Sequence, residues 1–276
     1  MPTLEKMILA IDSSIGSGVA IVDAASNEVR GQASSEAPRG HAEVIGTLIA
    51  QALAEANATP ADITHVAAGM GPGPFTGLRI GIAAARAFAI GRGIPVVPVA
   101  SHDAAALAVL DEDPSARFVI VTDARRRENA VSAYAGLAGD LPNRTAGPEL
   151  LPHTEDPSAR LAALSRNSVA AAPGSARALV PDRASGAVAD PTTLASGLAG
   201  GSAPRIRGTA SSGPQPRSAG VQHDDARAVL TTRIPVANIA RIAAQMIRQN
   251  AIVELEPLYL RAPDARPPGV VKRVST

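Results

Sequence analysis

The spacing of apolar residues changes along the chain, and each change marks an element. Met7 to Ile11 is a short continuous apolar run, broken by Asp12-Ser13-Ser14. Gly18–Val22 is a second run closed by Asp23, and Val29–Ser34 completes a three-strand meander. From His41 to Ala56 the period becomes helical, with Val44, Ile45, Leu48, Ile49, Ala52 and Leu53 recurring at helical spacing. A strand over Val66–Met70 leads through Gly71-Pro72-Gly73-Pro74 into a second helix, Thr76–Gly91, which ends on a Gly-x-Gly stop. Val96–Val99 reads as a strand and Asp103–Leu110 as a short helix. Phe118–Thr122 and Ala130–Ala135 read as strands on either side of a charged turn. A meander followed by alternating helices and strands predicts an α/β layer fold with a mixed central sheet.

The pattern fades near Leu141. From about Pro142 to Ala228 the chain is rich in Ala, Ser, Gly, Pro and Arg, and Gly197–Gly220 has almost no large apolar residue. Such a stretch buries too little surface to offset its chain entropy, so it reads as a disordered loop or linker. Periodicity returns over Ile234–Gln249, where Val236, Ile239, Ala243, Met246 and Ile247 share one face and Pro235 suits the first turn. Glu256–Arg261 follows as a short ordered-looking element before a polar tail.

Composition narrows the function. Of 276 residues 46% are hydrophobic, enough for a sizeable core, yet there are only 3 Phe, 2 Tyr and no Trp. Aromatic platforms for single-stranded RNA are therefore scarce. A net charge of +1 gives the chain no strong pull on a polyanion, so any RNA it serves would be gripped by a partner. The absence of cysteine excludes disulfides, thiolate zinc sites and a cysteine nucleophile. The first apolar run is too short for a signal peptide or membrane span, so a cytoplasmic protein without membrane contact is expected.

The most specific string is Gly69-Met70-Gly71-Pro72-Gly73-Pro74-Phe75-Thr76-Gly77-Leu78-Arg79-Ile80-Gly81. It encodes a strand, a tight turn and a helix start whose free amides could receive a phosphate or carboxylate. It lacks the Lys-Ser/Thr ending of a Walker loop and does not match GxGxxG. The plainer reading is that its glycines let strand and helix pack closely.

This string, with the residues that follow it, resembles the GPGSFTGLRIG signature of the TsaB (YeaZ) family, with Pro74 in place of the usual Ser. Ile8–Ser14 is similar to that family's ILAIDTS start and Thr122–Arg126 to its DARR element. Pro257–Arg261 with Pro263-Asp264-Ala265 is similar to its C-terminal PLYLR and PDA. The resemblance implies an actin-like ATPase (ASKHA, RNase H-like) fold: an N-terminal lobe over residues 1–110 and a reduced second lobe over 111–276, with an insertion or loop near 155–230. It also implies a non-catalytic scaffold in tRNA N6-threonylcarbamoyladenosine modification. Such a scaffold binds a TsaD-type transferase and a TsaE-type ATPase, forms homodimers, meets tRNA only through the complex and carries no cofactor.

The residues can be questioned on the same points. The transferase paralogue's metal site needs two histidines one helical turn apart. Here His41, His65, His102, His153 and His223 are scattered, and the position four after His102 is Ala106. His102 is therefore expected to be a surface or helix-start residue. Asp12 ends the first strand, where actin-like ATPases position magnesium and nucleotide; it either keeps such a contact or bonds the amides of its own turn. Arg125 and Arg126, in Asp123–Glu128, make either a solvated hairpin tip or an anion contact. A partner surface is expected on the two long helices, through Leu48, Leu53, Gly73, Phe75, Thr76, Gly77, Arg79, Gly81, Ala84, Ala85 and Phe88. Arg79 and Arg86 are expected to form rim ion pairs. The competing classes are an actin-like ATPase or kinase, which needs a complete second lobe, and a metallopeptidase, which needs a paired-histidine or HExxH site.

Overall fold

The computed structural model describes residues 6–35, 41–159, 227–251 and 256–260. Its first sheet contains β1 (Met7–Asp12), β2 (Ser17–Asp23), β3 (Val29–Ser35), β4 (Ile63–Gly69) and β5 (Val96–Val99), in spatial order β3-β2-β1-β4-β5. Short connections make β1, β2 and β3 antiparallel neighbours, whereas β4 and β5 run parallel to β1 and are reached through helices. Every residue of β1 and β2 is buried, because helices cover both faces. That is why their sequences are continuous apolar runs and do not alternate.

On one face lie α1 (His41–Glu55) and α2 (Phe75–Arg92), whose Leu48, Leu53, Ile82 and Ala85 pack on Leu9, Ile11 and Val66. Gly93 ends α2 in the left-handed conformation at φ 64°, and its N–H returns to Ala89 and Ile90 carbonyls. The opposite face carries α3 (Ser101–Leu110) and α4 (Val236–Arg248), with Ile239 and Ala243 set against Ile8, Ala10 and Val22. A two-pronged pair joins α4 to α3, Arg241 Nη1 and Nη2 donating to the Asp111 carboxylate at 2.6 and 3.0 Å. Residues after 230 thus return to serve the first sheet.

A second sheet holds β6 (Arg117–Asp123), β7 (Glu128–Ala138), β8 (Leu141–Pro152) and β9 (Arg227–Leu230), in order β8-β7-β6-β9. Two antiparallel neighbours and one parallel strand repeat the β3-β2-β1-β4 arrangement of the first. Two mixed sheets with helices agree with the α/β layer fold and mixed central sheet expected from the pattern. Strand β8 lies at the start of the Ala/Ser/Gly/Pro/Arg-rich stretch, before the loop expected near 155–230, and β9 overlaps the end of that loop. Along β8 only Leu151 is buried, so its ladder to β7, more than side-chain burial, holds it in place, and hydrophobic patterning has little to report. Residues 160–226 and Pro263-Asp264-Ala265 lie outside the described residues.

Candidate functional site

The C-terminal ends of β1, β4 and β5 meet at one buried knot. Asp12 is 2% exposed. Its Oδ1 accepts the Ser14 amide at 2.9 Å and the Ser14 hydroxyl at 2.6 Å, and its Oδ2 accepts the Ser101 hydroxyl at 2.5 Å. Ser101 Oγ in turn accepts the Gly71 amide at 3.0 Å, so one chain of bonds ties the turns after β1, β4 and β5. Burial pushes the Asp12 carboxyl above its ordinary pKa, against the lowering effect of its hydroxyl donors. Gly69 is required beside it, because a Cβ there would stand 1.9 Å from Asp12 Oδ2. Both carboxylate oxygens are thus engaged within the protein. Among the described residues no group of three His, Asp or Glu side chains is placed to hold a metal ion, and the residues at this turn do not fit a magnesium site.

The next residue explains the string 69–81. Ser13 Oγ donates to the Gly77 carbonyl at 2.7 Å and accepts the Gly81 amide at 2.9 Å. Gly77 and Gly81 are one helical turn apart, so the hydroxyl stands within the ladder of α2. A Cβ on Gly81 would come 2.2 Å from Ser13 Oγ, and one on Gly73 would come 2.7 Å from the Ser14 backbone. The glycines therefore fit α2 onto the β1–β2 turn.

Beside this joint opens a cleft of about 680 Å³. Its walls are the 12–18 turn, Ser34 and Ser35, the first turn of α2, Asp123 and Arg125 of the β6–β7 hairpin, and residues 232–234 with Val236. Arg125, Arg126 and Arg127 all adopt left-handed backbone conformations, at φ 68°, 56° and 61°. The Asp123 carboxylate accepts the Arg125 amide at 2.8 Å and stabilises this turn. A smaller recess shares Arg125 with the cleft and adds Arg126, Phe75 and Tyr259. Arg233 was missed in the sequence because it follows a stretch without periodicity.

Residues 20–148 match the family model described as TsaD, tRNA N6-adenosine threonylcarbamoyltransferase. An uncharacterised protein of Mycobacterium tuberculosis is 40% identical over 143 residues, 51% of this chain and 63% of that protein, so the match spans under two thirds of the relative. A tRNA N6-adenosine threonylcarbamoyltransferase of Streptococcus pneumoniae is 42% identical over 104 residues, 38% of this chain and 31% of the enzyme. The solved structure of YeaZ from Pseudomonas aeruginosa shares the fold, with a TM-score of 0.58 at 18% identity over 92% of this chain and 100% of its own.

Within the matched region His102 is a helix-start residue, as expected, but it is wholly buried and not at the surface. Its Nδ1 lies 2.8 Å from Ser132 Oγ and its Nε2 2.9 Å from Thr122 Oγ1, so both ring nitrogens are engaged by the second sheet. Burial lowers its pKa to about 3, which keeps the ring neutral. Next to it Asp103 accepts the Tyr134 hydroxyl at 2.7 Å and faces Arg144 at 3.5 Å.

The residues of the expected partner surface divide by burial. Leu48, Leu53, Gly77, Gly81 and Ala85 are buried beneath the helices, packed on the domain's own sheet and turn, and this corrects their expected outward role. Ala84 and Phe88 are half-buried at its edge, Gly73 is half-buried against Ser14, and Thr76 lines the cleft. Arg79 is exposed, but it lies over the Phe75 ring at 4.1 Å and donates to Tyr259 Oη at 3.1 Å, so its place is an aromatic stack in place of the expected rim ion pair. The small or apolar outward positions include Gly46, Ala50 and Ala54 on α1 and Ala83, Ala87 and Ile90 on α2, beside the exposed Thr47, Gln51 and Arg86. Ile90 is 82% exposed.

Proposed function

We propose that this chain is a non-catalytic subunit in threonylcarbamoylation of tRNA adenosine. It docks on a TsaD-type transferase through the outer face of α1 and α2, pairs with itself through the same kind of face, and reaches a TsaE-type ATPase and tRNA within the complex. The observation that carries the reading is this outer face on the region that matches the TsaD model. Gly46 sits inside α1, exposed, and a Cβ there would meet nothing within 4 Å. Glycine at such a position costs about 1 kcal/mol against alanine, and no neighbour among the described residues requires it. Close approach of a partner helix gives it a reason. Ala50, Ala54, Ala83 and Ala87 extend the same smooth strip toward Ile90.

The non-catalytic part rests on chemistry. His102 has no second histidine one turn on, since that position is the buried Ala106. Asp12 has its oxygens engaged by Ser14 and Ser101. Depletion of the protein from its cell followed by mass analysis of tRNA nucleosides tests the pathway. Threonylcarbamoyladenosine is expected to fall, and unchanged levels would sink the reading. Gel filtration with the cognate transferase tests the surface: a complex is expected with the native chain and its loss with Ala50→Glu or Ala83→Glu.

A further inference from the structure

The smaller recess, between the β6–β7 hairpin and the first turn of α2, has a volume of about 340 Å³ and a composition that the docking role does not use. Its floor is aliphatic: Ala130 is buried, and Pro74, Leu150 and Leu260 are half-buried. Its rim is basic, because Arg125 and Arg126 line it from the hairpin tip and both are exposed. Among the described residues the Arg125 side chain has no hydrogen bond or ion pair, so its five donors are available. One acid, Asp123, stands among the lining residues. Its Oδ1 accepts the Arg125 amide and lies 4.0 Å from His153 Nε2, so the two guanidiniums outweigh it.

The walls say what kind of occupant fits. Phe75 and Tyr259 meet at 4.8 Å, and the Arg79 guanidinium lies 4.1 Å from the first ring's centroid and 5.6 Å from the second's. The Leu258 amide donates to the Met70 carbonyl at 2.8 Å, which holds this segment in place. With a guanidinium already on the rings, a nucleobase finds no clear stacking platform here. Leu150 belongs to β8, the end strand of the second sheet, so the recess adjoins a sheet edge on which an extended chain can lie. Residues 160–226 and 261–276 of this chain do not complement the rim. Seven arginines stand against four aspartates in the first stretch, and four basic residues against one aspartate in the second.

We infer that this recess receives an acidic peptide segment of a partner protein, with one aliphatic side chain on the floor and flanking carboxylates on Arg125 and Arg126. A guanidinium matches a carboxylate two bonds at a time. Exposed pairs of this kind fix orientation and make binding sensitive to salt. The recess stands at the first turn of α2, whereas the docking face runs on to Ile90 near its last. The inference does not depend on the docking role, and either can fail alone.

Fluorescence anisotropy of the full chain with a fluorescein-labelled octapeptide, a central leucine flanked by glutamates, tests it. Saturable binding that weakens as salt is raised is expected. Exchanging the glutamates for lysines should abolish it, and exchanging the leucine for serine should weaken it. Arg125→Gln and Arg126→Gln should each weaken it on the order of ten-fold, as loss of a hydrogen bond to a charged group does, while Arg125→Lys retains part of the affinity. Both side chains are exposed, and circular dichroism verifies that the variants stay folded. A labelled single-stranded RNA octamer is run alongside. Tighter binding of the RNA, lost in the same variants, would overturn the inference in favour of a nucleic acid. No saturable binding of the acidic peptide, equal binding of the lysine peptide, or unchanged affinity in both glutamine variants would overturn it outright.

Discussion

At the scale of single residues, two buried polar groups respond to acid with opposite signs. His102 has a folded pKa of about 3 against 6.5 for an unperturbed histidine. Its neutral, doubly bonded form therefore stabilises the protein fully above pH 6.5, and that contribution is lost as pH falls toward 3, by about 1.4 kcal/mol for each pH unit. Urea denaturation from pH 7 to pH 4 should show that slope, and His102→Gln should flatten it whatever its effect on absolute stability. Asp12 is raised by burial, so its contribution moves the other way, and the difference between native and variant isolates the histidine. Ser101→Ala would remove the hydroxyl that serves Asp12 and Gly71 together. A loss of about 1.5–3 kcal/mol is expected by urea denaturation at pH 7, as for a hydrogen bond to a charged group. The Asp12-Ser13-Ser14 turn could be picked out in the sequence as chemistry-bearing. Its partners Ser101, Gly77 and Gly81 could not be assigned to it, because they come from other crossovers. His102 was hidden for the same reason: nothing near it in sequence announces Thr122 and Ser132.

At the scale of elements, periodicity was a good guide wherever a face is buried. α1, α2 and α4 were all legible within a few residues of their observed ends, since each presents an apolar stripe to the first sheet. The stripe alone could not tell inner face from outer on α2, where alanine and glycine occur on both sides. Strand β8 was not legible, because eight of its 12 residues are half-buried, three are exposed and only Leu151 is fully buried. Two substitutions separate local preference from tertiary demand. Gly46→Ala should stabilise the isolated protein by about 1 kcal/mol in thermal or urea unfolding, through helix propensity. It should nevertheless weaken the complex with the transferase if the partner's backbone lies against that position. In the β6–β7 hairpin, Arg127→Gly should stabilise by about 1 kcal/mol, because glycine accepts the φ of 61° without steric cost. No gain would mean that the Arg127 side chain offsets the conformational cost by its own contacts.

At the scale of the whole molecule, one arrangement of strands is used twice and the second use is the smaller. The first sheet has helices on both faces. The second has a small apolar cluster of Val119, Val121, Val131, Ala133 and Leu151 on one side and gives Phe118, Ile120 and Tyr134 to the main core on the other. Helix α4, encoded more than 70 residues after β8, closes that main core. Ile239→Ala, at a fully buried position, should therefore lower global stability by about 2–5 kcal/mol in one cooperative transition, as large-to-small core substitutions do. A separate early transition would show that α4 melts independently of the sheets.

The grip of α3 on the second sheet has a mechanical consequence. His102 and Asp103 sit at the first turn of a helix that belongs to the first sheet, yet their side chains are held by β6, β7 and β8. Rocking one sheet over the other would strip an imidazole of both its partners in a dry interior. Those buried bonds oppose any relative motion of the two sheets across the cleft.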